Sequence, residues 1–201
     1  MLYKTIILCC ALFNVGFAGS PSDSLQRLVE GNQRYVKDEI RHANHSSDRR
    51  EELLAKQQPF AIILGCSDSR VAPEIIFDQG LGDLFIVRVA GNVIGPLELD
   101  SIEYAAKHFD SSLVIVLGHE ACGAVTAVRD GQTEDIEAIA SLIKPAIKDA
   151  TSLESAIKEN VAWTVNYLKN SPLIRQLATE KKIDCVGAYY HLGTGNVEIL
   201  K

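Results

Sequence analysis

Three side chains of this sequence have the types and the spacing of a zinc site, namely Cys66, His119 and Cys122. His119 and Cys122 are three residues apart, so a helix that begins beside them presents both side chains to one point. A thiolate from Cys66 supplies a third ligand, and thiolates with imidazole form a set that zinc favours. Because three protein ligands leave one tetrahedral position open, the spacing predicts a catalytic rather than a structural zinc.

Two charged side chains follow Cys66 closely along the chain. Asp68 either binds the metal directly or turns away to pair with Arg70 and admits water to the fourth position. An Asp-x-Arg pair by itself is more often a structural ion pair, and the neighbouring ligands favour the functional interpretation. Two thiolates and an imidazole leave zinc without formal charge. We therefore expect Asp68, oriented by Arg70, to accept a hydrogen bond from the water, and activity to rise toward alkaline pH.

Cysteine usage leaves a second interpretation open. Two of the five cysteines lie within the first 18 residues, and the others are Cys66, Cys122 and Cys185. In an exported protein the ordinary expectation for three cysteines is one disulfide and one remaining thiol. A disulfide between Cys66 and Cys122 is the alternative to metal binding, but it makes the Asp-x-Arg and His-x-x-Cys patterns coincidental. Cys185 stands at the start of a predicted strand, the wrong end for the site, and we expect it to be a buried core thiol.

Short apolar runs rich in β-branched residues predict the strands that carry these side chains. The runs lack alternation, which is typical of parallel strands buried on both faces, and they cover residues 60–64, 84–89 and 113–117. Helices are predicted at residues 97–108, 135–150 and 153–168, the last with Trp163 and Tyr167 in the core. Two strands end alike, in Leu-Gly-Cys66 and Val-Leu-Gly-His119, so both ligands share the carboxyl edge of the sheet if these strands are neighbours.

These elements predict an α/β fold with a mainly parallel β-sheet flanked by helices, an N-terminal helical arm and a C-terminal edge strand. The arm covers residues 19–56, where Ser22 or Ser24 is placed to cap the first helix, and the core covers residues 57–201. Near the C-terminus, two strand-like runs are joined at residues 193–196, which predicts a hairpin or an edge strand. A chain of 201 residues, 47% of them hydrophobic, is expected to form one domain.

Residues 1–18 have the pattern of a secretory signal, with an early positive charge, an apolar stretch and a small-residue ending. We expect cleavage after Ala18, export to the periplasm and no stable membrane anchor, because the apolar run is shorter than the roughly 20 residues that span a bilayer. Lipid attachment at Cys9 or Cys10 is a weaker alternative, since the apolar region before either is very short. The net charge of -6 leaves no cationic face for nucleic acid.

Three segments resemble the signature segments of β-class carbonic anhydrases: CSDSRV at 66–71, RVAGN at 88–92 and GHEACGA at 118–124. The resemblance covers nearly all of the chain after residue 18 and is of the exported bacterial type. It implies that Cys66, His119 and Cys122 bind zinc and that Asp68 and Arg70 gate the fourth position. The implied reaction is the reversible hydration of carbon dioxide to bicarbonate and a proton, by attack of zinc-bound hydroxide.

The same resemblance implies a small substrate pocket and an oligomer. The implied pocket residues are Gln57, Phe85, Ala90, Tyr104 and Gly123. A homodimer or homotetramer is implied, and the amphipathic arm supports it because its apolar surface exceeds what a lone surface helix needs. A subgroup with a regulatory bicarbonate site has tryptophan where this chain has Ile63, so we expect no such regulation, although Gly65 and Arg88 match that subgroup.

Two other functions remain open for a site of this composition. The first is hydrolysis of another small linear molecule, such as carbon disulfide, by the same zinc centre. The second is a non-catalytic zinc-binding or assembly protein. The presence of both Asp68 and Arg70 argues against the second function, which the loss of either residue would have favoured.

Overall fold

The computed structural model describes residues 19–200, so the predicted signal sequence lies outside the described residues. Within this range the chain forms one five-stranded sheet flanked by helices. The strands are β1 Ala61–Gly65, β2 Leu84–Arg88, β3 Leu113–His119, β4 Asp184–Tyr190 and β5 Val197–Ile199. The helices are α1 Pro21–Val36, α2 Ser47–Glu52, α3 Pro73–Ile76, α4 Pro96–His108, α5 Gly123–Arg129, α6 Glu137–Ile143, α7 Leu153–Asn170 and α8 Pro172–Thr179, and a 3-10 turn covers Ala90–Asn92.

The order of the strands across the sheet is β2-β1-β3-β4-β5. All neighbours are parallel except β4 and β5, which are antiparallel and form the predicted hairpin with β5 at the edge. From β1 the chain crosses to β2 on one side, and β3 lies on the other side. The gap between the ends of β1 and β3 is therefore a topological switch point, where open α/β sheets bind ligands.

The two strands at this switch point are buried at every residue. Ile62 of β1 packs in a cluster with Ile102 of α4 and Val161 of α7, whereas Ile63 packs in another cluster with Leu28 of α1. Helices thus cover both faces of the sheet, which explains why the strand sequences show no polar alternation. The predicted α/β fold is confirmed.

Polar contacts join the N-terminal arm to Asp78, which lies in the loop between α3 and β2. Buried Asp78 accepts hydrogen bonds from Arg34 Nε (2.6 Å) and from the backbone amides of Arg41 (3.1 Å) and His42 (3.3 Å). The helix α1 begins differently from the prediction, because Ser20 rather than Ser22 or Ser24 is its N-cap. Arg34 thus ties α1 to the loop after α3, while Leu28 of α1 packs against one face of the sheet.

The structure corrects two predictions about the later helices. Residues 135–150 form only the short helix α6, because Pro145 has no amide hydrogen with which to continue it. Trp163 and Tyr167 are 48% and 46% exposed, and the core-facing stripe of α7 instead includes Ile157 and Val161. Among the described residues, no helix is long and apolar enough to cross a membrane.

Candidate metal centre

The three predicted zinc ligands come together at the switch point. Cys66 directly follows β1, His119 is the last residue of β3, and Cys122 is the N-cap of α5. Their ligand atoms all lie within 4.8 Å of one another, and all three side chains are buried. Since Gly65 of β1 pairs with Leu117 of β3, the neighbouring strands deliver Cys66 and His119 to the same edge of the sheet.

A tight turn returns the chain from His119 to the cluster. Ala121 adopts a φ of 52°, which non-glycine residues rarely do and which costs about 1 kcal/mol. This left-handed residue reverses the chain at the end of β3, so that Cys122 can begin α5 beside the ligand that precedes it. The sequence spacing alone did not reveal this conformation.

The hydrogen bonding of the His119 imidazole leaves one ring nitrogen available for a metal. Its Nδ1 lies 2.9 Å from the carbonyl oxygen of Glu120, a contact that favours a proton on Nδ1 and leaves the lone pair of Nε2 free. Nε2 is one of only two buried side-chain nitrogen or oxygen atoms without a hydrogen-bond partner in residues 19–200. An orphaned nitrogen beside two thiols fits zinc, because the metal would satisfy it.

The two cysteines of the cluster are free thiols, and their pKa values are shifted in opposite directions. The pKa of Cys66 is lowered, first by the hydrogen bond from Cys122 and also by His119 and the Gly91 amide, against the opposing effect of burial. The pKa of Cys122 is raised, first by its hydrogen bond with Cys66 and then by burial. The two shifts arise mainly from the contact between the thiols, and a divalent cation there would favour deprotonation of both.

Asp68 and Arg70 form a two-point ion pair beside the cluster, and their side chains are 16% and 53% exposed. Arg70 donates from Nε to Asp68 Oδ1 (2.9 Å) and from Nη2 to Oδ2 (2.7 Å). These bonds hold the pKa of Asp68 well below its usual range. Asp68 Oδ2 is 3.9 Å from His119 Nε2 but does not belong to the ligand cluster. In the structure Asp68 is therefore paired with Arg70, and direct zinc ligation by Asp68 stays a prediction.

Arg88, at the end of the edge strand β2, contacts the same loop from the side. Its Nε donates to the carbonyl oxygen of Cys66 (2.9 Å) and its Nη2 to that of Asp68 (2.7 Å). Arg88 therefore holds the backbone that carries both the first ligand and the carboxylate. Sequence reasoning noted Arg88 only for its match to a regulatory subgroup and missed this role. The signal available in the sequence was a positively charged residue, Arg88, near the end of the predicted strand 84–89.

The predicted pocket residues divide into two groups. Ala90 begins the 3-10 turn next to Gly91, and Gly123 follows Cys122, so both lie beside the ligands in the chain. Phe85 lies away from the ligands, because it pairs with Ile62, three positions before the end of β1, and packs against Phe109.

The remaining two pocket residues also lie away from the ligands. Tyr104 is 52% exposed and contacts the same Phe109. Gln57 precedes β1 and borders a surface groove with Leu53 and Leu81, toward the amino edge of the sheet. Within one chain, the structure does not bring Gln57, Phe85 or Tyr104 to the zinc ligands, and their role in the pocket stays a prediction.

Cys185 lies where the sequence predicted it. It is the second residue of β4, pairs with Val114 near the start of β3 and is 2% exposed. The position is at the opposite end of the strands from the ligand cluster. Burial raises the pKa of this thiol to about 12, and its place at the far end of the strands keeps it out of the ligand cluster.

A parallel α/β sheet with two thiols and an imidazole gathered at its switch point defines a class of zinc enzyme with an open coordination position. Residues 61–197 match the family model described as carbonic anhydrase. The chain belongs to the carbonic anhydrase family. The expected α/β fold, the zinc cofactor and the activity of a carbonate dehydratase are confirmed.

Similar proteins cover nearly the whole chain. Carbonic anhydrase 2 of Mycobacterium tuberculosis is 39% identical over 188 residues, which are 88% of this chain and 91% of the relative. A carbonic anhydrase of Mycolicibacterium smegmatis is 37% identical and covers 90% of this chain and 93% of its own length. The solved structure of the β-carbonic anhydrase CcaA has a TM-score of 0.71 at 27% identity, with 89% and 88% of the two chains covered.

A more distant structure shows the same fold. One of two tetrameric β-carbonic anhydrases of Sordaria macrospora has a TM-score of 0.71 at 23% identity and covers 89% of this chain and 97% of its own. The fold is thus shared with members of the β class from different organisms.

Proposed function

We propose that reversible hydration of carbon dioxide takes place at the cluster of Cys66, His119 and Cys122, with Asp68 and Arg70 as the pair that orients the reacting water. The observation that carries the proposal is the buried, unpartnered Nε2 of His119 within 4.8 Å of two thiol sulfurs. Zinc held there would supply Lewis acidity toward water.

The protein side of the reaction depends on the protonation state of Asp68. Because Arg70 keeps the pKa of Asp68 low, the carboxylate is charged at physiological pH and acts only as an acceptor. In this proposal the carboxylate therefore accepts a hydrogen bond from a water molecule beside the cluster and directs the oxygen lone pair toward carbon dioxide. Arg70 also donates to the carbonyl oxygen of Ala121 (3.5 Å), which ties the pair to the turn between the other two ligands.

Ala90 and Gly123 line the same pocket in this proposal, since each adjoins a residue that contacts the cluster. Gln57, Phe85 and Tyr104 lie elsewhere in the chain, so they can reach a pocket only in another copy. We infer a homodimer or homotetramer on this ground, supported by the half-buried edge strand β2 and by Leu97, which is 78% exposed. Light scattering of the purified protein tests the oligomer, and a monomer would overturn it.

Export to the periplasm is the proposed localisation, with residues 1–18 as the cleaved signal, residues 19–56 as the arm and the remainder as the α/β core. The first 18 residues support this proposal, because they begin with a positive charge, continue with an apolar stretch and end with small residues. Cell fractionation with N-terminal sequencing of the mature protein tests the proposal. A protein that retains Met1 and stays inside the inner membrane would contradict it.

Zinc analysis coupled to stopped-flow measurement of carbon dioxide hydration tests the activity. We expect wild-type protein with one zinc per chain and high activity, Cys66→Ser with reduced zinc and Asp68→Ala with zinc but little activity. Zinc-loaded wild-type protein without hydration activity would favour a non-catalytic zinc-binding role. The same protein assayed on carbon disulfide distinguishes the remaining alternative.

A further inference from the structure

The sulfur of Cys66 receives a hydrogen bond from a backbone amide. The amide nitrogen of Gly91 lies 3.3 Å from Cys66 Sγ, and the contact is buried. Such a bond to a thiolate draws electron density away from sulfur and so reduces how much charge the thiolate donates to a metal. The effect opposes the weakness of a site with two thiolates, which otherwise leaves the metal a poor Lewis acid.

The geometry of this amide requires glycine at position 91. Gly91 has a φ of 74° inside the 3-10 turn, a conformation that side chains rarely adopt. A Cβ atom there would lie 2.9 Å from Ile143 Cδ1 and 3.2 Å from Ala124 Cβ. The turn is therefore closely surrounded, and small changes in its backbone would move the amide relative to Cys66.

A side chain from a distant helix holds the other side of Gly91. Asn160 of α7 donates from Nδ2 to the carbonyl oxygen of Gly91 at 2.8 Å, and Asn160 is only 1% exposed. The carbonyl lies on the opposite side of the Gly91 Cα from the amide that faces Cys66, so fixing the carbonyl restricts the ψ angle of Gly91. Asn160 is separated from Gly91 by 69 residues and touches none of the ligands directly in the described hydrogen-bond network.

We propose that Asn160 is a positioning residue for the metal centre, which holds Gly91 so that its amide donates to Cys66 Sγ and keeps the bound metal a stronger Lewis acid. The proposal rests on Cys66 being a ligand, as in the proposed function. Asn160 acts through Gly91 and has no contact with the substrate. Burial alone does not require asparagine here, since Val161 and Ile157 of the same helix are apolar.

A second buried asparagine provides a matched control. Asn32 of α1 is 4% exposed, donates from Nδ2 to the carbonyl oxygens of Gly195 (2.8 Å) and Ile76 (3.2 Å), and accepts at Oδ1 from the amide of Val197 (2.9 Å). It thus has the same helix setting, a glycine carbonyl among its acceptors and similar burial, but it lies in the arm and forms no hydrogen bond with the cluster. Because Asn32 makes three side-chain hydrogen bonds and Asn160 makes one, the Asn32 variants should lose at least as much stability as the Asn160 variants. Loss of a buried hydrogen bond should destabilise both variants, whereas only Asn160 should affect the metal.

The experiment uses the full chain loaded with Co²⁺, whose thiolate-to-metal charge-transfer band reports on sulfur donation. In Asn160→Ala and Asn160→Leu, we expect the band to move to longer wavelength because the released thiolate donates more strongly. We expect the hydration rate of the zinc form to fall about 10-fold, as for other groups that orient a ligand. Asn32→Ala and Asn32→Leu should leave both the band and the rate per bound metal unchanged. The two substitutions differ in size, so a packing defect in one does not decide the result.

An unchanged band in both Asn160 variants, with an unfolding midpoint lowered as in the Asn32 variants, would overturn the proposal and leave Asn160 a structural residue. The band does not depend on turnover, so it tests Asn160 even if the wild-type protein does not hydrate carbon dioxide. Absence of a charge-transfer band from the cobalt-loaded wild-type protein would instead contradict the ligand assignment in the proposed function, and with it this inference.

Discussion

Two aspartates of this protein each receive hydrogen bonds from arginine, one at the metal centre and one beneath the N-terminal arm. Asp68 is 16% exposed and takes all of its three bonds from Arg70, which is two residues away and 53% exposed. Asp78 is 2% exposed and takes its bonds from Arg34 and from two backbone amides of the arm, 36 to 44 residues away.

The difference between these pairs separates a group that can rearrange from one that holds the fold. The Asp68 pair belongs to a single loop at an open edge, so the carboxylate can exchange partners without moving another element. The Asp78 pair joins the arm to the core and is mostly buried, with Arg34 19% and Asp78 2% exposed, so breaking it leaves a largely buried charge without its partner. The same two residue types therefore serve chemistry in one place and stability in the other.

Asp68→Asn is the sharpest test of this contrast. The amide keeps the size of the side chain but removes the negative charge that accepts from water, and we expect the hydration rate per bound zinc to fall about 10³-fold. The urea midpoint should stay close to that of the wild type, because the pair is local. Stopped-flow kinetics with zinc analysis measures the first quantity. A rate within twofold of the wild type would remove Asp68 from the mechanism.

Asp78→Asn should have the opposite result. Removing one partner of a buried pair costs roughly 3 kcal/mol of the free energy of unfolding, because Arg34 loses its counter-charge. The hydration rate per folded, zinc-loaded molecule should be unchanged. Urea denaturation followed by circular dichroism gives the stability, and a loss of rate at constant zinc content would show that the arm also shapes the centre.

Arginine-to-lysine changes compare how each pair uses the guanidinium. Arg70 binds both oxygens of Asp68, so Arg70→Lys loses the two-point contact and we expect the rate to fall about 10-fold. Arg34 donates to Asp78 through Nε alone, so Arg34→Lys should keep the rate and lower stability by less than about 1 kcal/mol. Equal rates for the two lysine variants would contradict the assigned role of Arg70.

The pH dependence of stability is the smallest expected effect. Burial opposes ionisation of Asp78, but Arg34 and the arm amides outweigh it and lower the pKa of this carboxyl. A lowered pKa in the folded state gives stability that is complete above about pH 4 and is lost as the pH falls through the folded-state value. The stability gap between wild type and Asp78→Asn should therefore narrow in urea titrations from pH 6 to pH 3. A constant gap would mean that Asp78 is not ionised in the fold.

Several local features could be predicted from the sequence. The strands β1 and β3 were predicted to within two residues at each end because doubly covered parallel strands are continuous apolar runs, and the ligands directly follow or end these strands. The buried position of Cys185 followed from the same pattern. The exposed Trp163 was predicted wrongly, because helical periodicity defines a stripe of side chains without showing which stripe faces the sheet.

The contacts between distant segments could not be predicted. Arg88 meets the Cys66 loop because β2 pairs with β1, and Asn160 meets Gly91 because α7 packs beside the 3-10 turn. Nothing in the spacing of these residues indicates either contact. The positions of Gln57 and Tyr104 away from the ligands were likewise hidden, since a motif match shows a residue type but not its distance from the metal.

The sequence alone determined the ligand types, the Asp68 and Arg70 pair and the strands that carry them, because these depend on residues a few positions apart and on a repeating apolar pattern. Only the tertiary structure decided that β1 and β3 are neighbours, that Asp78 fastens the arm and that Gly91 donates to Cys66. These depend on strand order and helix packing, which arise from burial summed over the whole chain and have no signature in any short segment.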